Sequence, residues 1–329
     1  MTATATTTPS VAAPLAPDAD ARLEWVPCYL CGSTDASAFL VAADDYTGRP
    51  GAFRFVTCAR CGLRYQRPRL SLDAVKEFYD DGYLAHRKRT DWGVLTGFFE
   101  WVMDRHDRQK DALVRRWLSL GAESEVLDVG CAAGTFLQRL RTRYGARVAG
   151  VDFKDLSAHP SLAGVEFHCG LFYEQPLASG RFDLVTMWHF LEHDYDPLRT
   201  LATARDVLKP DGRLVIEVPR LDSLTFRLFG RRWPGVQAPQ HTVLYDREAL
   251  LRTVRQAGLE VVEYLPYGAF PAFFYFFAGA AFTLLRGRGL NLSRAIYPYF
   301  VGQLLFAPLL AFEKQLNFAM QTVVCRRPS

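Results

Sequence analysis

The chain has no uninterrupted apolar stretch of the ~20 residues that a bilayer crossing takes. Its first residues carry neither the basic start nor the continuous apolar segment of a secretory signal. Met1 to about Asp20 is instead rich in Thr, Ala and Pro, the composition of a disordered tail, and cytoplasmic residence is expected. Neither a G-x-G-x-x-G fingerprint nor a Walker lysine is present, which argues against a dinucleotide turn and a P-loop. Acid is scarce at one end: from Gly268 to Ser329, Glu313 stands alone against six Lys/Arg, so the net charge of +4 divides into +5 there and −1 before it. Runs of interleaved basic and aromatic residues are missing, so no nucleic-acid partner is expected. There is no internal repeat.

What is present suits a globular protein. The 329 residues are 49% hydrophobic, 22% charged and 13% aromatic, enough for one large domain or two ordinary ones. Four of the seven cysteines form two pairs with two-residue gaps, Cys28 with Cys31 and Cys58 with Cys61, each followed by glycine. That spacing is a metal pattern, and four thiolates would close a tetrahedral zinc site with no open position, hence a structural one. The stretch around them has little continuous apolar sequence and needs such a staple to fold.

From Ser71 the period becomes helical, first through Leu72, Val75, Phe78 and Tyr79, then in a longer amphipathic run from about Asp91 to Leu120. Strand and helix then alternate. Strands are expected at Glu125–Val129, Arg147–Asp152, Val165–His168, Phe182–Trp188, Gly212–Val218, Leu259–Leu265 and Ala319–Cys325, and helices at Thr135–Tyr144, Pro197–Leu208 and Asp246–Ala257. The pattern is that of an α/β fold, a Rossmann-like doubly wound and mostly parallel seven-stranded sheet. The organisation expected is a tail (1–21), a zinc-binding module (22–70), a helical linker or lid (71–124), a cofactor-binding catalytic domain (125–265), a hydrophobic helical hairpin (266–318) and a last strand with the C-terminus (319–329).

Asp128, Gly130, Cys131, Ala132 and Gly134 lie where the first of these strands turns into a helix; small residues there let a ligand sit against backbone amides. The next strand ends in Asp152, placed to take both hydroxyls of a ribose. On these residues, on Phe182-Asp-Leu-Val185, on His189-Phe-Leu-Glu192-His193-Asp-Tyr-Asp-Pro197 and on Leu208-Lys-Pro-Asp-Gly212, the chain resembles the class I S-adenosylmethionine-dependent methyltransferases over about Tyr79 to Gly258. The cysteine pairs add a likeness to the zinc module carried by a subset that includes sugar C-methyltransferases. The resemblance implies that the glycine turn holds the methionine end of S-adenosylmethionine, that Asp152 holds the ribose, and that Gly170 and Leu171 frame the adenine; Leu171 stands where the family commonly has an acid. Trp188 and His189, ending the fourth strand, complete the expected cofactor contacts.

The string His189-x-x-Glu192-His193 also matches an inverted zinc-protease signature, but it follows a buried strand at the cofactor edge of a sheet and is not expected in a long helix. Methyl transfer from a sulfonium requires alignment and removal of the acceptor's proton. His189 and His193 are candidate bases with Glu192 as orienter, and His241, in the loop after the fifth strand, is a rival. The same loop region offers Arg220, Arg227, Arg231, Arg232 and Trp233 as a seat for phosphate or carboxylate.

Two uncharged runs, Phe270 to Leu285 and Ala295 to Phe312, flank a basic turn. They are expected to form a hairpin beside the active-site mouth that meets a membrane surface through residues 270–312, with a lid or a dimer contact as the other uses. The function expected is methyl transfer to a hydrophobic or lipid-linked small molecule by a peripheral or monotopic protein at the inner face of the membrane. The alternatives are a soluble nucleotide-sugar methyltransferase and a membrane-tethered cofactor-binding protein without turnover.

Overall fold

In the computed structural model, which describes residues 22–79, 96–286, 288–290, 292–310 and 312–328, the first part of the chain wraps around its cysteines. Short strands β1 (Leu23–Glu24), β2 (Ala36–Ala42), β3 (Phe53–Cys58), β4 (Arg64–Gln66) and β5 (Arg69–Leu70) precede helix α1 (Leu72–Lys76). Ser71 caps α1, its Oγ accepting the Ala74 amide at 3.3 Å, and Val75 and Ala74 face inward. The long helix α2 (Thr96–Val114) is shorter than the expected run: residues 91–95 lie outside the described residues, and the helix gives way to a turn in which Trp117 N–H donates to Val114 O.

The central layer is built from β6 (Glu125–Val129), α3 (Thr135–Tyr144), β7 (Arg147–Asp152), β8 (Glu166–Cys169), β9 (Phe182–Trp188), α4 (Pro197–Val207), β10 (Leu208–Pro219), α5 (Leu224–Phe229), β11 (Val243–Leu244), α6 (Arg247–Gln256) and β12 (Glu260–Leu265). Two helices, α7 (Ala272–Leu285) and α8 (Leu292–Leu310), come before the last strand, β13 (Met320–Arg326). Seven strands align in the order β12-β13-β10-β9-β6-β7-β8. The neighbours from β10 to β8 are parallel, and β13 runs antiparallel to both β10 and β12. The expected doubly wound sheet is present, with β10 opening at Leu208 because Leu208 already pairs with Phe182. The central strands β6, β9 and β10 are buried on both faces, as Val126, Leu127, Val185 and Ile216 show, which is why they read as near-continuous apolar runs.

The chain leaves β6 for β7 and β8 on one side and returns through β9 and β10 on the other. A crevice opens at such a reversal, beyond the carboxyl ends of the strands. One face of the sheet packs on α4 and α6, capped by Asp196 and Asp246. Leu201, Ala204, Leu250 and Val254 there share one core with Cys28, Leu30, Leu63 and Tyr65 of the cysteine module. The module is further tied in by β11, which extends its sheet to the order β11-β4-β3-β2.

Of the apolar hairpin, α7 is a core element: Ala278 and Phe282 are buried and Phe229 lies against Gly279. The outer helix α8 contains Pro298 and Pro308 and exposes Leu304 (77%) and Leu305 (75%). Among the described residues, no helix is long and apolar enough to cross a membrane.

Candidate active site

The two cysteine pairs form matching turns. Gly32 N–H donates to Cys28 O and Gly62 N–H to Cys58 O, both at 2.9 Å, and both glycines have left-handed φ, 69° and 76°. These turns bring Cys28 Sγ to 3.4 Å from Cys61 Sγ and Cys31 Sγ to 3.5 Å from Cys58 Sγ. All four sulfurs lie within 4.8 Å of one another. Tetrahedral Zn–S bonds of ~2.3 Å put sulfurs ~3.8 Å apart, so the donor set fits one metal ion. Burial disfavours the Cys58 thiolate, yet the amides of Cys61 and Arg60 outweigh it and bring that thiol down to about 7.

At the carboxyl end of β6 the chain turns through three left-handed residues, Gly130 (φ 75°), Ala132 (47°) and Gly134 (70°). A Cβ on Gly130 would stand 2.6 Å from the Phe190 ring, so only glycine fits there. The amides of Gly130 and Cys131 donate to Val151 O at 2.8 and 3.1 Å. That of Ala132 donates to Asp152 Oδ2, and Lys154 N–H to Asp152 Oδ1, each at 3.0 Å. Asp152 thus sits at the end of β7 with its carboxylate aimed back at the glycine turn. Gly134 begins α3, whose first-turn amides lack intrahelical acceptors and suit an anionic group. Gly170 N–H donates to Asp152 O at 2.8 Å, which brings Gly170 and Leu171 to the same edge. Cys131 is buried and its thiol is pushed well up by burial and by Asp128, so it is inert. Asp128 accepts from Thr186 Oγ1 at 2.6 Å, and burial pushes it up to about 7. Trp188 meets Phe136 edge to face at 5.6 Å.

The histidines gather beside this crevice. His189 follows β9 with φ 53° and lies between two acids, Nδ1 3.5 Å from Glu192 Oε1 and Nε2 3.3 Å from Glu217 Oε1. Burial opposes its charge, but the two carboxylates prevail and push it up to about 9. Glu192 and His193 occupy a short 3-10 turn, not a long helix. Glu192 is 1% exposed, and among the described residues neither carboxylate oxygen has a hydrogen-bond partner. His193 Nδ1 lies 3.1 Å from Gln240 O and 2.8 Å from Tyr79 Oη. His241 Nδ1 lies 2.8 Å from Gly235 O, and its Nε2 is 4.0 Å from Glu192 Oε1. Burial, first of all, holds His193 below its ordinary value and His241 well below it. The two rings meet edge to face at 4.4 Å. The loop carrying His241 is pinned from both sides: Thr242 N–H donates to Glu192 O at 2.8 Å, and Gln66 Nε2, from β4 of the cysteine module, donates to Pro239 O and His241 O at 2.8 and 2.7 Å.

A sheet reversal, a glycine turn answered by an acid at the next strand end and a buried histidine cluster now share one edge. Residues 102–264 match the family model described as a methyltransferase domain. The chain belongs to the S-adenosylmethionine-dependent methyltransferases. An uncharacterised 37.1 kDa transposon protein of Streptomyces fradiae is 37% identical over 107 residues, 30% of this chain and 31% of that one. A ubiquinone biosynthesis O-methyltransferase of Aromatoleum aromaticum is 29% identical over 196 residues, 55% of this chain and 81% of that one. The chain therefore spans about a third of the first relative and most of the second. A geranyl diphosphate C-methyltransferase structure from Streptomyces coelicolor is 13% identical with a TM-score of 0.47, covering 67% of this chain and 79% of that one.

Several residues of this methyltransferase were not singled out by sequence reasoning. Glu217 is fully buried and accepts from the amides of Ala269 (2.5 Å) and Phe270 (3.1 Å); it ties the entry of the hairpin to the end of β10 and sets Phe270 4.8 Å from His189. Helix α2 brings Lys110 over the rings of Phe136 and Trp188, 5.5 Å from each, and buries Asp107 and Asp111. Acids buried within an amphipathic run were the available signal. The arginine seat is dispersed: Arg220 pairs with Asp222 at 2.6 Å, Arg232 donates to Phe282 O, and Trp233 is buried. A concavity of about 590 Å³ lined by Arg141, Arg147, Glu166 and Arg181 lies at the amino ends of β7 and β8, opposite the crevice.

Proposed function

We propose that this methyltransferase transfers the sulfonium methyl of S-adenosylmethionine to a hydrophobic small-molecule acceptor that enters between the histidine cluster and the aromatic hairpin. Bound at the crevice, the sulfonium supplies an activated methyl group and leaves as a thioether. The chain's own part is alignment and charge control. Asp152 would hold the ribose, the turn Gly130–Gly134 and the start of α3 the methionine end, and Gly170 and Leu171 the adenine. The observation that carries the reading is the convergence, at one sheet edge, of that crevice with Glu192, His193 and His241, a group of acceptor atoms suited to drawing off the proton that the acceptor loses. The wall opposite is apolar: Phe270 packs against His189, and Phe274 and Tyr275 pack against Phe270 at 5.4 and 6.1 Å.

A lipidic or lipid-linked acceptor at the cytoplasmic membrane surface is the reading we favour. Leu284, Leu304 and Leu305 are 81%, 77% and 75% exposed, an apolar side that a monomer in water rarely leaves bare, and the exposed Arg286 and Arg288 adjoin it. The cited relative named for ubiquinone biosynthesis is compatible with such an acceptor. The four cysteines would hold a structural zinc ion that fixes Gln66, and through it the His241 loop. The test is release of S-adenosylhomocysteine from purified protein given a membrane lipid extract or a nucleotide-sugar pool. Turnover with the lipid extract is expected; turnover with nucleotide sugars alone would overturn the acceptor class, and failure to bind S-adenosylmethionine would overturn the function.

A further inference from the structure

The interior at Glu192, His193 and His241 is unbalanced. Main-chain carbonyls only accept, so the contact of His241 Nδ1 with Gly235 O places that ring's hydrogen on Nδ1 and leaves Nε2 as a lone pair; His193 Nδ1 lies between Gln240 O and the Tyr79 hydroxyl, and a hydrogen on Nδ1 directed to the carbonyl leaves its Nε2 in the same state. Beside them stands Glu192, 1% exposed, its two oxygens without hydrogen-bond partners among the described residues. Its nearest cationic neighbour, His189, is 3.5 Å away and shared with the equally buried Glu217. Three groups able to donate an electron pair lie close together, and two carboxylates share one imidazolium. Left so, the group would carry the full cost of a buried, unpaired charge.

We propose that Glu192, His193 and His241 bind a divalent transition-metal ion at the acceptor side of the crevice, separate from the four-cysteine site. One ligand atom from each of the three lies within 4.8 Å of the others, and His241 Nε2 is 4.0 Å from Glu192 Oε1. Tetrahedral bonds of ~2.1 Å need such atoms ~3.4 Å apart, so closing the site takes a contraction of about half an ångström along that edge and at most about 1.4 Å along the others. Both imidazoles already have the supporting contact typical of metal-bound histidine, an Nδ1–H donated to a carbonyl that fixes the ring and strengthens Nε2. Two nitrogens and one carboxylate oxygen suit Zn²⁺, Co²⁺, Fe²⁺ or Mn²⁺ and leave coordination positions open. Resting on the proposed acceptor site, the inference names the agent there: an open position would take the acceptor's oxygen and favour loss of its proton, the electron pair staying on that oxygen as nucleophile and the proton passing to solvent.

The test uses the full chain with its zinc content measured. Mn²⁺, which binds thiolate ligands poorly, is titrated in and followed by electron paramagnetic resonance. One Mn²⁺ per chain is expected to bind, with electron spin-echo modulation from imidazole nitrogen. Glu192→Gln and His241→Ala should each lose at least ~100-fold in affinity while keeping the zinc of the cysteine site. Wild-type protein that binds no Mn²⁺, Co²⁺ or further Zn²⁺, or binds Mn²⁺ without nitrogen modulation, would overturn the inference whether or not the variants fold. S-adenosylmethionine binding, measured on the same samples, separates the two failures: cofactor binding without the second metal sinks only this site, and metal binding without cofactor sinks the methyltransferase reading.

Discussion

Glu217 joins the catalytic sheet to the hairpin, and its removal has a calculable effect. Glu217→Ala strips the acceptor from two buried amides, Ala269 N–H at 2.5 Å and Phe270 N–H at 3.1 Å, and from Thr322 Oγ1 at 3.4 Å. A hydrogen bond to a charged group contributes ~1.5–3 kcal/mol, and an amide left unpaired in the interior costs about as much as the bond it loses. Two amides set the gross loss at ~3–6 kcal/mol, and relief from burying a carboxylate offsets part of it. The net loss expected is about 3 kcal/mol. Glu217→Gln keeps the shape and one acceptor oxygen, so it should cost only about 1–2 kcal/mol. Gly268 is packed directly on this carboxylate, where a Cβ would come within 2.6 Å of its carbon; Gly268→Ala should therefore reproduce part of the loss with Glu217 intact. Urea unfolding measures all three, and amide exchange at Ala269 and Phe270 shows whether the hairpin entry opens first. A Glu217→Ala protein within about 1 kcal/mol of wild type, with its exchange unchanged, would refute the role of Glu217 as the anchor.

Asp152→Ala should weaken S-adenosylmethionine binding by ~10–100-fold, the loss of ~1.5–3 kcal/mol of charge-assisted bonding to a ribose; calorimetry with unchanged affinity would remove that assignment. Elemental analysis is expected to find one zinc per chain in wild type, and Cys58→Ser should lose it and lower soluble yield, since Cys28 and Cys58 belong to the core shared with α6; metal-free, folded and active protein would refute the structural metal. Stability in acid should depend on Glu166, held down to about 2 by hydrogen bonds from Arg181 despite partial burial. A depressed carboxyl contributes stability above its unfolded value near 4.5 and loses it as pH falls toward 2, so Arg181→Ala should flatten the decline of unfolding free energy over that interval, and an identical slope in both proteins would refute the pairing. Replacing Leu304 and Leu305 by Ser should abolish co-sedimentation with anionic liposomes and leave cofactor binding intact; a wild type that ignores liposomes would move the exposed face to another use.

How far the molecule could be read in advance follows from what each residue's conformation depends on. The strands were legible because burial leaves an apolar run, and the cysteine knuckles because a glycine follows each pair of cysteines and lets the chain turn back so that the four sulfurs meet. The crevice was legible for a similar reason: Gly130 and Gly134 mark left-handed turns, and Asp152 follows at a strand end. Legibility fails wherever a site is assembled by packing across long separations. Glu217 read as one more residue in a strand, because its partners are backbone amides some fifty residues later, and no side-chain pattern announces an amide. The apolar hairpin was legible as hydrophobic but not as divided, since both runs are uncharged, and it takes tertiary contacts such as Phe229 against Gly279 and Trp233 against Tyr275 to put α7 inside while α8 exposes its leucines. His241 read as a rival base in a loop, with nothing in the sequence to place it against Glu192. What brings it to Glu192 is Gln66, whose amide holds the 239–241 carbonyls from the cysteine module, and β11, which pairs with β4 of that module. The cysteine spacing and the histidine motif are therefore parts of one arrangement: the paired cysteine turns set β4, β4 sets the loop, and the loop delivers the imidazole that completes the cluster.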